Sequence, residues 1–187
     1  MSGETLNGGC LNGIKNVKKN VKMDTTMKVK KNAKLKLTGK VKLTFKNETT
    51  GDIEILEYNN LVVNTGIYAI ASRLSGTDIP ANTMGVITYC AVGTGTDAAA
   101  AGDTALQTEV ARKQIADGSS ALAVATFRTY FNTSEAIATL KEVGLFGDDA
   151  TSVADSGTLY CRAAIDKEKT SANSLTVDWE VSVADVV

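Results

Sequence analysis

Histidine, the side chain that most often moves protons near neutral pH, is missing from this chain of 187 residues. Its absence removes Ser-His-Asp and Cys-His nucleophile pairs and all histidine metal ligands together. Paired carboxylates are the remaining acid–base route. Most Asp and Glu residues, however, fall in turn-like stretches or on the polar side of alternating segments, where solvated surface is the plain reading. No enzymatic activity, small-molecule substrate or cofactor is expected. Two weaker signals point the same way. Gly93-Thr94-Gly95-Thr96-Asp97-Ala98 fits G-x-G-x-x-A after an apolar run. No convincing helix follows to aim its N-terminus at a phosphate, and Asp97 would repel one. Asp148, Asp149 and Asp155 could gather round a calcium ion, but their spacing is not that of an EF-hand and no glutamate closes it.

Cys10, Cys90 and Cys161 are odd in number and widely spaced, which fits neither a disulfide framework nor a CxxC zinc site. Cys90 and Cys161 lie in apolar runs (ITYCAV and LYCRAAI) and read as small buried hydrophobes. Asn47-Glu48-Thr49 and Asn132-Thr133-Ser134 match the glycosylation triplet but read as turns.

The strongest binding signal is charge. Residues 1–46 hold twelve lysines against Glu4 and Asp24, a balance of +10, whereas residues 47–187 carry eight Lys or Arg against nineteen Asp or Glu, −11. The net charge of −1 conceals this asymmetry, which favours assembly or an anionic partner. Lys15, Lys18, Lys19, Lys22, Lys28, Lys30, Lys31 and Lys34 are the candidate partner-binding residues. They could neutralise phosphates in a salt-sensitive, sequence-blind way. The first 44 residues nevertheless contain no aromatic and no arginine, so they lack base-stacking groups and bidentate forks. An acidic protein surface is therefore favoured over nucleic acid. Residues 1–34 are low in complexity, with LNGG echoed by LNG and NVKK by NVK. Alone in water such an arm is expected to lack structure and to order on a partner. Met27 is a candidate internal start.

From about Lys34 the pattern becomes β. Lys40-Val41-Lys42-Leu43-Thr44-Phe45-Lys46 alternates with period two, giving a buried face and a lysine-coated face. Asn47–Asp52 is a turn, and Ile53–Tyr58 returns as the partner strand. Asn59-Asn60 interrupt, and Leu61–Val63 resume. Asn64 or Thr65 caps a short helix, Gly66–Leu74, whose Ile67, Ile70, Ala71 and Leu74 fall at helical spacing, with Ser75-Gly76 ending it. Residues 75–84 form a loop around Pro80. Val86–Val92 reads as a buried strand and Gly93–Gly102 as a loop, with Asp103 capping one turn over Thr104–Leu106. Val110–Ala116 leads into a turn, Asp117–Ser120, before a long strand, Ala121–Phe131. After a break at Asn132–Ala136 come a strand Leu140–Phe146, an exposed acidic loop Gly147–Gly157, and a strand Thr158–Ile165. Leu175, Val177, Trp179, Val181 and Val183 alternate without a miss in the last strand. About eight strands and one short helix read as a mainly β protein, an antiparallel β-sandwich at residues 35–187 behind a basic arm at 1–34.

Several segments together carry a resemblance: Asn60-Leu61-Val62-Val63-Asn64-Thr65-Gly66, Ala91-Val92-Gly93-Thr94-Gly95-Thr96, and Asp103-Thr104-Ala105-Leu106-Gln107-Thr108-Glu109-Val110 with Arg112. Glu142-Val143-Gly144-Leu145-Phe146-Gly147 and Ser156-Gly157-Thr158-Leu159 complete the series, which spans roughly residues 38–187. In this order they resemble small structural proteins of tailed bacteriophages and prophages. The resemblance implies a β-sandwich virion component without catalysis, tail-fibre or tail-associated or decorating the head, whose partners are other virion proteins and copies of itself. It contributes no catalytic residues and does not reach the lysine-rich arm. No stretch approaches ~18 apolar residues, so no membrane span is expected. The N-terminus has no hydrophobic block after its charges, so synthesis in a host cytoplasm and residence in a virion are expected.

Overall fold

The computed structural model describes residues 34–75 and 86–186. Lys15, Lys18, Lys19, Lys22, Lys28, Lys30 and Lys31, with Cys10, Met27 and the Pro80 loop, lie outside the described residues. Lys34 opens the first strand.

Ten strands and one helix follow in chain order: β1 Lys34–Asn47, β2 Ile53–Asn59, β3 Leu61–Val62, α1 Asn64–Ser75, β4 Ile87–Gly93, β5 Glu109–Gln114, β6 Asp117–Ala121, β7 Val124–Phe131, β8 Ala138–Gly147, β9 Thr158–Lys169 and β10 Asn173–Val186. They form two five-stranded sheets, β2-β1-β10-β7-β6 and β3-β9-β8-β4-β5, with every neighbouring pair antiparallel. The fold is mainly β and sandwich-like. β1 and β10 are its spine, paired in unbroken register from Lys34↔Val186 to Asn47↔Asn173. Their alternation sends Val41, Leu43 and Phe45, and Leu175, Val177 and Trp179, into the core between the sheets. Phe131, Val143, Leu145, Cys90 and Cys161 meet them there.

Of the four connections that pass between the sheets, two are tight corners. Asn60 N–H still donates to Gly39 O in the first sheet (3.1 Å), while Val63 N–H donates to Tyr160 O in the second (3.1 Å). Likewise Ile115 N–H donates to Thr88 O on β4 (2.8 Å), and the next residue, Ala116, donates to Arg128 O on β7 (2.8 Å). Chain therefore passes between the sheets beside β2–β3 and again beside β5–β6. At Gly39 an added Cβ would lie 2.5 Å from the Asn60 side chain and closer still to Glu180 O, so only glycine lets the first corner close.

Several boundaries differ from expectation. Asp117–Ser120 is strand, not turn: β6 pairs with β7 from Asp117↔Arg128 to Ala121↔Val124. The reversal falls at Leu122-Ala123, with Leu122 held at φ 53°, so ladder pairing overrides the turn chemistry of Asp-Gly-Ser-Ser. That strand is the main reason for ten strands rather than about eight. Thr104–Leu106 form no helical turn, because the Asp103 carboxylate instead accepts the Ala100 N–H (2.9 Å) and an arginine. The helix starts at Asn64, two residues before the expected Gly66. Thr65 does not cap it, since its hydroxyl donates to Leu159 O (2.7 Å). The face turned to β9 is Gly66, Ala69 and Ile70, whereas Ile67 and Leu74 are exposed (42% and 87%).

Candidate functional site

The second sheet is covered on both sides, which explains why β4 and β8 read as continuous apolar runs. Its inner face meets the core. Its outer face carries a second buried cluster of Val63, Ala91, Leu106, Phe146 and Leu159, roofed by α1 and by the irregular segment 94–108. A segment of that length without secondary structure needs other partners for its backbone.

Those partners are two opposite charges inside the sheet. Glu142 on β8 is fully buried, and Arg162 on β9 is 2% exposed. Glu142 Oε1 accepts the N–H groups of Gly95 (3.0 Å) and Thr108 (2.7 Å), and Oε2 accepts that of Gln107 (2.9 Å). Arg162 donates twice to Oε2, from Nε (3.1 Å) and Nη2 (2.8 Å). Its Nη1 reaches Asp103 Oδ2 (2.6 Å) and its Nη2 reaches Asp97 O (3.1 Å). Burial alone would raise the Asp103 pKa, but the Ala100 N–H and the Arg162 guanidinium bring it below the ordinary value. Glycine is required where the loop touches the carboxylate: a Cβ on Gly93 or Gly95 would lie 2.5 Å from Glu142 Oε1. Leu106 plugs the sheet above Gly144, where an added Cβ would stand 3.0 Å from both Leu106 and Leu159.

A second buried pair holds the next loop. Glu109 and Arg112 side chains are 3% and 2% exposed and joined by two bonds of 2.8 Å. The guanidinium lies 4.1 Å over the Phe146 ring, and Nη1 donates to Ser156 O (2.6 Å) and Oγ (3.1 Å). Asp155 N–H donates to Glu109 (3.3 Å). The Tyr160 hydroxyl donates to Asp148 Oδ1 (3.1 Å) and accepts from Arg73 (3.2 Å), and its pKa is pushed up by burial and then by Asp148.

The glycine loop can therefore present an anion site only to the protein's own Glu142. The N–H groups of Thr94, Gly95 and Asp97 are already used, on Thr108 O, Glu142 and Gln107. Asp148 is engaged with Tyr160, Asp149 is exposed, and among the described residues no group of three or more His, Cys, Asp or Glu could hold a metal ion. Cys90 and Cys161 are free and buried as expected, and burial pushes both thiols up to about 12. Sequence reasoning treated most carboxylates as solvated. Glu142 and Glu109 are exceptions, and for the Glu142–Arg162 pair the available signal was a carboxylate inside the run LKEVGLFG and an arginine inside LYCRAAI.

Elsewhere, β8 and β9 meet the 132–136 turn through Lys169. Its amine is buried and donates to Asn132 O (2.8 Å), and burial lowers its pKa despite Glu135 nearby. The outer face of the first sheet bears a row of alternating charge across all five strands, Glu57, Lys42, Asp178, Arg128 and Asp117, set by the register. Asp178 bonds both Arg128 (2.6 Å) and Lys42 (3.3 Å) above a shallow recess of about 440 Å³.

These features define a sandwich-like β protein whose loops are pinned by buried ion pairs. Compared with protein-family models, curated proteins and solved structures, the chain matches none.

Proposed function

We propose that the protein is a non-enzymatic structural subunit of a bacteriophage-like virion, tail- or fibre-associated or on the head surface. It assembles through its sandwich and its lysine-rich arm. One observation carries most weight. The motif series that resembles phage structural proteins converges on one interlocked system: Gly93, Gly95, Asp103, Leu106, Glu109, Arg112, Glu142, Gly144, Phe146, Ser156 and Leu159 contact one another across the second sheet. Their polar groups are spent on each other and on loop backbone, which makes a rigid unit with preset loops and leaves no donor set facing a substrate. Rigid units that tolerate many copies are what shells and tubes require.

Mass spectrometry of purified particles tests this directly. The chain is expected there in many copies, and its confinement to host lysate would refute the proposal. The second reading, a nucleic-acid-binding module, rests on the +10 balance of residues 1–46. It requires a DNA complex that weakens steeply with salt and vanishes on removal of those residues. No shift of DNA at ~50 mM salt would reject it.

A further inference from the structure

Among the described residues the two sheets present four edge strands, and three are blunted in recognised ways. β3 has two residues. β6 is a five-residue run of Asp, Gly, Ser, Ser and Ala, and β5 carries Arg112 and Lys113 beside a register shift at Val92/Gly93. β2 differs. It runs seven residues in unbroken register with β1, contains no Pro, Gly or Lys, and exposes Ile53 and Ile55 on the outer face (61% and 57%). Its charges are Glu54 and Glu57 with no cation. Glu54 reaches Lys167 (2.6 Å), whereas Glu57 makes no hydrogen bond or ion pair among the described residues. A long apolar edge is a template for another strand, and two glutamates bias it against a second β2 and toward a cationic one.

We infer that β2 receives a strand from the lysine-rich arm of a second copy, residues 19–23. This rests on the reading of the arm as an assembly element. The sequence Lys19-Asn20-Val21-Lys22-Met23, laid antiparallel as every other pair in the fold, sets Met23 against Ile53, Lys22 against Glu54, Val21 against Ile55, Asn20 against Leu56 and Lys19 against Glu57. Both apolar residues meet isoleucines, and both lysines meet glutamates. The acidic loop at 147–157 is the poorer acceptor, because its Asp148 is already bound to Tyr160. Passing an arm to the next copy is a head-to-tail contact, which propagates into rings or filaments instead of closing a dimer.

Charge exchange in the full-length chain tests it, read by sedimentation velocity at low and high salt. The wild-type chain should self-associate at low salt and dissociate at ~0.5 M, where charges are screened within a few ångströms. Glu54→Lys with Glu57→Lys, and separately Lys19→Glu with Lys22→Glu, should each weaken association at least tenfold with unchanged melting. Each variant alone sets Lys against Lys or Glu against Glu, whereas mixing the two restores Lys–Glu pairs at both contacts, so the mixture should associate again. The chain carrying all four changes should likewise associate. Lys28→Glu with Lys31→Glu should have a smaller effect. A wild-type monomer, or a four-fold variant that stays monomeric, overturns the inference. If the arm variant fails to associate while the edge variant still does, the arm's role stands and β2 is not its acceptor. Particle composition decides the virion reading independently.

Discussion

Replacing Glu142 by Gln removes a charge and one acceptor without removing volume, and the structure sets the scale of the response. The carboxylate receives five donations, three from loop backbone and two from Arg162. An amide at the same place offers one oxygen and turns an NH₂ group toward donors. Arg162, 3% exposed at its side chain, keeps only Asp103 as a charged partner, itself 22% exposed. Breaking a buried pair from one side costs about 3–5 kcal/mol. That is a large share of the roughly 5–15 kcal/mol by which domains are stable, and it corresponds to a fall of roughly 6–20 °C in melting temperature for a domain of this size.

The informative comparison is Glu142→Leu with Arg162→Met. Replacing both members of an ordinary buried pair by apolar groups is often neutral. Here it should not be, because the N–H groups of Gly95, Gln107 and Thr108 would lose their acceptor; the bond from Gly95 is buried and the other two part-buried, and a buried orphan costs about 1–3 kcal/mol. The double variant is expected to be at least as unstable as Glu142→Gln, while Arg162→Met alone is milder because the three N–H bonds survive. Denaturant unfolding gives the order, and hydrogen exchange locates it. Protection should fall first at Gly95, Gln107 and Thr108. A double variant as stable as wild type, or Glu142→Gln with those amides still protected, would refute the idea that the carboxylate's main task is to hold the loop.

Three further outcomes follow from the same geometry. Gly95→Ala should destabilise by about 1–3 kcal/mol, the range for overpacking, since its Cβ would press on Glu142 and Gln107; urea unfolding measures it. Lys169 has its folded pKa held below 10.5 by burial, so the unfolded chain binds the proton more tightly and stability should rise with pH across that window. Lys169→Met should flatten that rise in melting curves recorded at increasing pH. Removing residues 1–33 should leave the melting temperature within about 2 °C, because the two five-stranded sheets and their shared core are built from residues 34–186, while incorporation into particles falls; a truncated chain that cannot fold would overturn the division of the sequence.

The spine of the fold was legible because β1 and β10 are buried on one face only, so burial writes itself as strict alternation. The Asn47–Asp52 turn was equally plain: Asn47 Oδ1 accepts the N–H groups of Thr49 and Thr50, and Gly51 takes φ 79°. Legibility failed where tertiary pairing competes with local preference. Asp117-Gly118-Ser119-Ser120 has turn chemistry, yet the register with β7 places the reversal at Leu122. The helix was found but its buried face was not, since close approach to β9 selects small Gly66 and Ala69 over the bulkier Ile67 and Leu74. The ion-pair lock was half legible. Charges inside two apolar runs announce a buried pair, but nothing local announces that the carboxylate's further partners are backbone N–H groups about 35 to 47 residues away.

That long-range pinning bears on how the protein can act. Buried polar residues are consumed in pinning loops: Glu142 and Arg162 bond to 95–108, and Glu109 and Arg112 to 151–156. A buried ion pair adds little stability compared with apolar packing, so its value here lies in specifying one loop conformation out of many. The freedom left to the described sandwich is at its surface, where the acidic, unblunted edge of β2 stands against a chain that carries +10 in its first 46 residues. On the proposed virion role the chain would act through its neighbours, because each exposed ion pair is worth only ~0–1 kcal/mol and becomes decisive when the same contact is repeated across many copies.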